Sequence, residues 1–115
     1  MFKVGQCIAG ILAFKDGSPS SYWRPYLIVG VDVERKEIKI LNISSIAGKE
    51  HKLHFSSNVA LPNSIPPLAR LSFVKIDSLQ VISFECANGF DLLSNGASIS
   101  QGDLDAVLNA LGVQV

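Results

Sequence analysis

Residues 26–31 constrain the fold most, because they form a run of β-forming, almost entirely apolar side chains. The run is too short for an independent helix and predicts a buried central strand over 26–33. Pro25 precedes it, at a strand's first position, where a missing N–H costs little. Arg24 lies just before, where a loop joins the sheet, and a cation on a rigid strand is well placed to bind an anion. The alternative is an ordinary surface arginine.

Most other segments also predict strands. A second strand over 37–44 pairs with the central strand as a hairpin across a charged turn. Residues 56–67 are polar and proline-rich and predict an irregular connection. Further strands are expected over 4–14, with bends at Gly5 and Gly10, and over 51–55, 68–77 and 79–84.

A single helix is predicted near the C-terminus, after a loop marked by two Asn-Gly pairs. Ser100 is its expected N-cap, with Asp103 completing a capping box, and Gly112 its expected C-cap. Its apolar face consists of residues at helical spacing, namely Leu104, Val107, Leu108 and Leu111. Short strands followed by one helix predict a mainly β, half-open barrel closed by that helix.

The length and the charge limit the function. The 115 residues predict a single domain over 1–115. Ten basic and ten acidic side chains give zero net charge, so any nucleic-acid site must be local. No signal peptide or membrane span is evident, and we expect a cytoplasmic protein in which Cys7 and Cys86 are reduced and buried.

The sequence contains no glycine-rich phosphate loop and no GxSxG or HExxH motif. A looser set of residues lies at the predicted strand ends: Arg24, Ser44, Ser45, Lys75 and Asp77. If a coiled barrel brings them together, the carboxylate can move protons and the cations can stabilise charge on phosphorus. The alternative is that they are solvated strand ends.

A metal site is not expected. His51 and His54 are three residues apart, and on the predicted strand they point to opposite faces. No further ligand joins them at a metal-binding spacing. We therefore expect no metal and no cofactor.

The order of these features resembles the MazF/PemK family of bacterial toxins. The likeness covers nearly the whole chain, although each motif is short. It runs through the glycine-containing first strand from Val4, the Arg24-Pro25 pair before an apolar strand, a strand ending in Ser44-Ser45, the Lys75-Ile76-Asp77 segment and the helix between Gly96 and Leu111.

The resemblance implies an SH3-like barrel that forms a homodimer and cuts single-stranded RNA without a metal, using the 2′-hydroxyl of the RNA as nucleophile. It implies an antitoxin partner that covers the RNA groove. Arg24 matches the catalytic arginine, Ser44 the catalytic Thr or Ser, with Ser45 as a second register, and Lys75 and Asp77 the acid–base pair. Lys75 stands where arginine is more usual, and the first loop has no histidine.

RNA binding also needs exposed aromatic rings and local cations. The candidates are Tyr22, Trp23, Ser45, Lys49, His51 and Lys52. Two other functions stay open: a non-catalytic SH3-like binding module and a metal-dependent enzyme that uses His51 and His54.

Overall fold

The computed structural model describes residues 2–12, 23–54 and 57–112, apart from the side chains of residues 53 and 54. The strands in these ranges are β1 (Cys7–Gly10), β2 (Arg24–Asp32), β3 (Glu37–Ser45), β4 (Asn58–Leu61), β5 (Ser72–Lys75), β6 (Gln80–Ser83) and β7 (Asp91–Leu92). The helices are α1 (Phe84–Ala87) and α2 (Gln101–Leu111), with 3-10 turns at Glu50–His54, Ile76–Ser78 and Leu93–Gly96. No helix in the described ranges is long and apolar enough to span a membrane.

The described strands form one antiparallel sheet in the order β4-β5-β3-β2-β1-β7. The long strand β3 pairs with β2 along one edge. Along its other edge it pairs first with β6 and then with β5. The result is the mainly β, barrel-like fold with a C-terminal helix that the sequence predicts, and β3 runs through its middle.

Two apolar clusters lie on opposite faces of the β2–β3 hairpin, because successive strand residues point to opposite faces. Leu27 and Leu41 belong to the first cluster, which α2 covers through Leu104 and Val107. The neighbouring residues of β2 and β3 belong to the second cluster, with Tyr26, Ile28, Ile38 and Ile40 packed against Phe2, Leu12, Ile82, Phe84 and Phe90.

The hairpin, the terminal helix and its Ser100 and Gly112 caps confirm the sequence predictions, whereas the Asp103 carboxylate bonds Asn63 and Ser64 instead of completing a capping box with Ser100. Ser100 caps α2 by accepting a hydrogen bond from the Asp103 backbone N–H at 3.2 Å, and Gly112 ends it at a positive φ of 77°. The Asp103 carboxylate is buried and accepts hydrogen bonds from Ser64 Oγ at 2.6 Å and the Asn63 N–H at 2.9 Å. It therefore joins α2 to the segment after β4.

Three other predicted elements were wrong in type or extent. Residues 50–54 form a 3-10 turn rather than a strand, because the backbone turns at Gly48 and the Lys52 N–H bonds the Lys49 carbonyl at 2.9 Å. The predicted connection 56–67 contains β4, which pairs with β5. The predicted strand 68–77 is regular only at Ser72–Lys75 and passes into the turn Ile76–Ser78.

Two smaller differences concern the ends of the sheet. Within the described part of 4–14, the first strand covers only Cys7–Gly10, because Gly5 has a positive φ of 98° and breaks the extended backbone. The loop expected between the last long strand and the helix contains α1, β7 and the turn Leu93–Gly96.

Candidate active site

Arg24, Ser44 and Lys75 come from three adjacent strands, and the strand registers place them on one face of the sheet. Tyr26 of β2 pairs with Asn42 of β3, and two residues further along the two strands come Arg24 and Ser44. Ser44 pairs with Phe73 of β5, and Lys75 lies two residues beyond Phe73. Because side chains two apart on a strand share a face, the three functional groups project from the same side.

This face continues the face of the second apolar cluster and becomes polar at its end. Ile38 and Ile40 are fully buried, whereas Asn42 and Ser44, next on the same side of β3, are half-buried. Arg24 at the start of β2 is exposed. A rigid apolar base therefore holds polar side chains at the rim of the sheet, which suits a functional site.

Asp77 lies near Lys75, on a turn that interrupts the strand pairing along β3. Ile43 pairs with Val74 of β5, and pairing resumes at Ile40 with Gln80 of β6, so the intervening residues loop out as the turn Ile76–Ser78. Bulges of this kind re-aim side chains and are common beside functional sites.

Ser78 fixes this turn to the central strand. Its Oγ accepts a hydrogen bond from the Asn42 backbone N–H at 2.8 Å and donates one to the Lys75 carbonyl oxygen at 2.6 Å. The turn that carries Asp77 is thereby held against β3, beside the row that contains Ser44.

Four cations meet at this rim. The pKa of Lys75 is lowered first by burial and then by the positive charges of Lys52, Lys49 and Arg24, while Asp77 acts in the opposite direction. Burial raises the pKa of Tyr26, and the positive charge of Arg24 acts in the opposite direction. The side chains of three segments distant in sequence are therefore close enough to interact electrostatically, and in a chain of zero net charge they give this part of the sheet a local excess of positive charge.

Lys49 and Lys52 arrive there because residues 50–54 turn instead of extending. The Lys49 N–H bonds the Ile46 carbonyl at 2.7 Å, and the Asn58 side chain bonds the Lys52 carbonyl at 2.8 Å. These contacts fold the segment back onto β4, next to the strand that carries Lys75. This 3-10 turn, which the sequence did not predict, thus brings two of the predicted RNA-binding lysines close to Lys75.

Asn42 is a site residue that the sequence reasoning missed. Its side-chain oxygen Oδ1 is buried and has no hydrogen-bond partner among the described residues. It lies between Tyr26 on one neighbouring strand and the Ser78–Lys75 turn on the other. A polar residue in the otherwise apolar inward series of β3 was the available signal.

The remaining candidates differ in their positions. Trp23 is exposed and lines a groove next to Arg24, on the β1 side. Ser45 is half-buried and pairs with Ser72, and His51 is exposed on the 3-10 turn. Tyr22 and the side chain of His54 lie outside what the structure describes.

His51 and His54 lie on a 3-10 turn and not on the strand that the sequence predicted. Because Glu50–His54 is a 3-10 turn, the strand alternation that separated the two histidines does not apply. The described side chains of residues 2–12, 23–54 and 57–112 include no group of three or more His, Cys, Asp or Glu that could hold a metal ion.

The two cysteines differ in environment, which corrects the expectation that both are buried. Cys7 is fully buried in the first cluster, and burial raises the pKa of its thiol to about 12. Cys86 is exposed, on α1. Neither forms a disulfide.

Comparison with known proteins shows which solved structures have a similar fold. No protein-family model matches the chain, and no curated protein does. Among solved structures it is similar to chains in two crystal forms, II and III, of MazE-MazF from Deinococcus radiodurans, with a TM-score of 0.63 and 18% identity in each. The matches cover 96% of this chain and 90% and 92% of the other chains. The protein therefore has a MazF-like fold.

Proposed function

We propose that this protein is the toxin of a toxin–antitoxin pair and a metal-independent endoribonuclease specific for single-stranded RNA. The observation that carries the proposal is the shared face of Arg24, Ser44 and Lys75, beside the anchored turn of Asp77. An arginine, a hydroxyl, an amine and a carboxylate at one anion site can together supply the proton transfer and the charge stabilisation that phosphodiester cleavage needs.

The reaction is an internal transfer at phosphorus. The ribose 2′-oxygen attacks the neighbouring phosphorus and loses its proton, while the bond from phosphorus to the 5′-oxygen breaks and that oxygen gains a proton. The products are a 2′,3′-cyclic phosphate and a 5′-hydroxyl. We assign proton removal to Asp77 and proton delivery to Lys75, whose lowered pKa makes it a better acid than an ordinary lysine.

The other groups act on the charge of the phosphate. Arg24 donates to the non-bridging oxygens, where negative charge grows in the transition state. Ser44 donates a further hydrogen bond from the adjacent strand. Lys49 and Lys52 hold the backbone phosphates of the RNA without reading its sequence. His51 on the same turn and Ser45 beside Ser44 complete the proposed RNA contacts.

The same cations provide a docking site for a regulator. The similar structures are of MazE-MazF, and we propose that an antitoxin with an acidic segment covers the four cations of this chain and blocks RNA. We also propose that the protein acts as a homodimer.

The decisive experiment uses the purified protein without an antitoxin, a mixture of single-stranded RNAs and excess EDTA. Cleavage must persist in EDTA and must leave cyclic phosphate and 5′-hydroxyl ends. An RNA with one 2′-deoxy nucleotide at the cleavage position must resist cutting there. Folded protein that cuts no RNA under these conditions contradicts the proposal.

A non-catalytic binding module is the second candidate, and the lysine at position 75 favours it. Lysine is a point charge and cannot grip a phosphate through two parallel hydrogen bonds, as arginine does. This alternative predicts partner binding that does not change in Arg24→Ala, with no RNA cut in the assay above.

A further inference from the structure

We infer that a groove beside Arg24, lined by Trp23 and Phe90, binds the base of a nucleotide that flanks the phosphate held at Arg24. The inference rests on the proposed RNA substrate and deepens it by naming a subsite. The groove has a volume of about 370 Å³, at the small end of ligand sites, which suits one flat base.

Strand pairing connects the groove to the anion site. Gly10 of β1 pairs with Arg24 of β2, and Gly10 also lines the groove. Arg24 therefore lies between Gly10 and the groove, on the β1 side, and Ser44, on the β3 side. A nucleotide chain that places one phosphate at Arg24 has its neighbouring base within reach of the groove.

Phe90 forms a fixed wall of this groove. A Cβ at Gly10 would lie only 2.9 Å from the Phe90 ring, so the ring lies directly against the backbone of β1. The Phe90 ring also packs against the Tyr26 ring, with centroids 6.0 Å apart. The wall is therefore held in place before any ligand arrives, which lowers the entropic cost of binding.

Trp23 supplies the second, accessible ring. Its side chain is 56% exposed, next in sequence to Arg24. An exposed indole is a stacking platform for any base, and such stacking contributes about 1–3 kcal/mol per base. An aromatic ring beside a cation is the combination that single-strand binding proteins use.

Charge selects a base rather than a phosphate for this position. Among the described residues that line the groove, Asp91 is the only acidic residue, and none is Lys, Arg or His. A phosphate would be repelled there and would remain at the cations around Arg24 and Lys75. A neutral base carries N–H groups that the Asp91 carboxylate can accept.

Two natural reporters lie in the groove. Trp23 is the only tryptophan of the chain, so tryptophan fluorescence reports on this position alone. Cys86 also lines the groove and is exposed, whereas Cys7 is buried and its pKa is raised to about 12. Alkylation by iodoacetamide near neutral pH therefore reports on Cys86.

The experiment titrates the whole protein with a short 2′-O-methyl RNA, which cannot be cut, and measures fluorescence polarisation of a labelled RNA in parallel. We expect the RNA to change Trp23 fluorescence and to slow alkylation of Cys86 at least fivefold. Phe90→Leu should raise the dissociation constant about 5- to 100-fold. Val33→Ala, at an exposed apolar position far from Gly10, is the matched control and should bind like the parent chain.

Each result decides between the two proposals. RNA that binds by polarisation, without a change in Trp23 fluorescence or in Cys86 alkylation, overturns the base groove. If such a protein still cuts RNA, the nuclease function stands and the groove fails. If the RNA changes both reporters but no RNA is ever cut, the groove stands and the nuclease function fails. Since Phe90→Leu could disturb folding, its circular dichroism is compared with that of the parent.

Discussion

The two ends of the β2–β3 hairpin use charge in opposite ways. At the turn end, Asp32 and Arg35 form an exposed pair with a separation of 3.9 Å between nitrogen and oxygen, and the Asp32 carboxylate also accepts the Arg35 backbone N–H at 3.0 Å. At the open end, burial lowers the pKa of Lys75, the positive charges of Lys52, Lys49 and Arg24 lower it further, and Asp77 acts in the opposite direction.

This difference in charge is the reason for assigning the proposed chemistry to the open end of the hairpin. An exposed pair such as Asp32–Arg35 compensates its own charge and contributes less than about 1 kcal/mol to stability. Cations gathered in one place repel one another and lower stability, so their retention in a fold points to a functional role. The same two strands thus carry a compensated ion pair at one end and the candidate site at the other.

The sharpest test exchanges the same residue type at both ends. We expect Arg24→Ala to lower RNA cleavage by about 10²–10³-fold, because it removes a donor aimed at charge that develops in the transition state. Arg35→Ala, which removes an arginine from the turn end, should stay within about twofold of the parent. Single-turnover cleavage rates measure both variants, and equal losses in the two would end the distinction between the ends.

Two substitutions of Lys75 test the proposal that its amine delivers a proton. Lys75→Met keeps the length of the side chain and should lower cleavage about 10- to 100-fold, as expected for the loss of a charged hydrogen bond. Lys75→Arg restores phosphate binding but not proton delivery, since an arginine does not deprotonate in proteins. RNA binding near that of the parent with slow cleavage in Lys75→Arg would support the assignment, and full activity would refute it.

The same substitution has an effect on stability with a defined sign. The folded-state pKa of Lys75 lies below its unfolded value, so between the two values the unfolded chain binds more protons and stability rises with pH. Lys75→Met removes the penalty of keeping this charge in the folded state. We expect it to be slightly more stable than the parent at pH 7, with a difference that shrinks as the pH rises through the alkaline range. Thermal unfolding of both proteins between pH 7 and pH 10.5 measures this.

The elements predicted best from sequence are those whose signals are local. The apolar run after Pro25 and the Ser100 and Gly112 caps predict β2 and α2 without knowledge of the rest. Strand β4 was missed because its few residues are half-buried, apart from Leu61, and only pairing with β5 makes them a strand. Nothing local distinguishes a short strand from a 3-10 turn at residues 50–54.

The residues of the candidate site were likewise predictable only where their sequence signals are local. Arg24 stands out because a proline and an apolar strand follow it at once. The approach of Lys49 and Lys52 to Lys75 depends on the turn at 50–54 and on the pairing of β4 with β5, which are tertiary features. Ser78 acts through a hydrogen bond to the Asn42 backbone on another strand, so its role is not recognisable from its own sequence neighbours.

Stability also distinguishes the two ends. Ser78→Ala leaves the Asn42 backbone N–H and the Lys75 carbonyl without their shared partner, and we expect a loss of about 1–3 kcal/mol in the free energy of unfolding. Asp32→Ala at the exposed turn should cost less than about 1 kcal/mol. Urea denaturation gives both values. Similar losses in the two variants would show that the Ser78 bridge holds the bulge no more firmly than the Asp32 contacts hold the hairpin turn.

The smallest effect concerns the salt dependence of RNA binding. With three or four phosphates contacted, the slope of log K against log salt for a single strand should be about −2 to −3. Lys49→Ala and Lys52→Ala should each make this slope shallower by about 0.7, because each removes one phosphate contact. Lys39→Ala changes an exposed lysine on β3 near the turn end and should leave the slope unchanged. A change in slope for Lys39→Ala as large as that for Lys49→Ala would mean that RNA is attracted along the whole hairpin, and the contrast between its ends would then lie in catalysis alone.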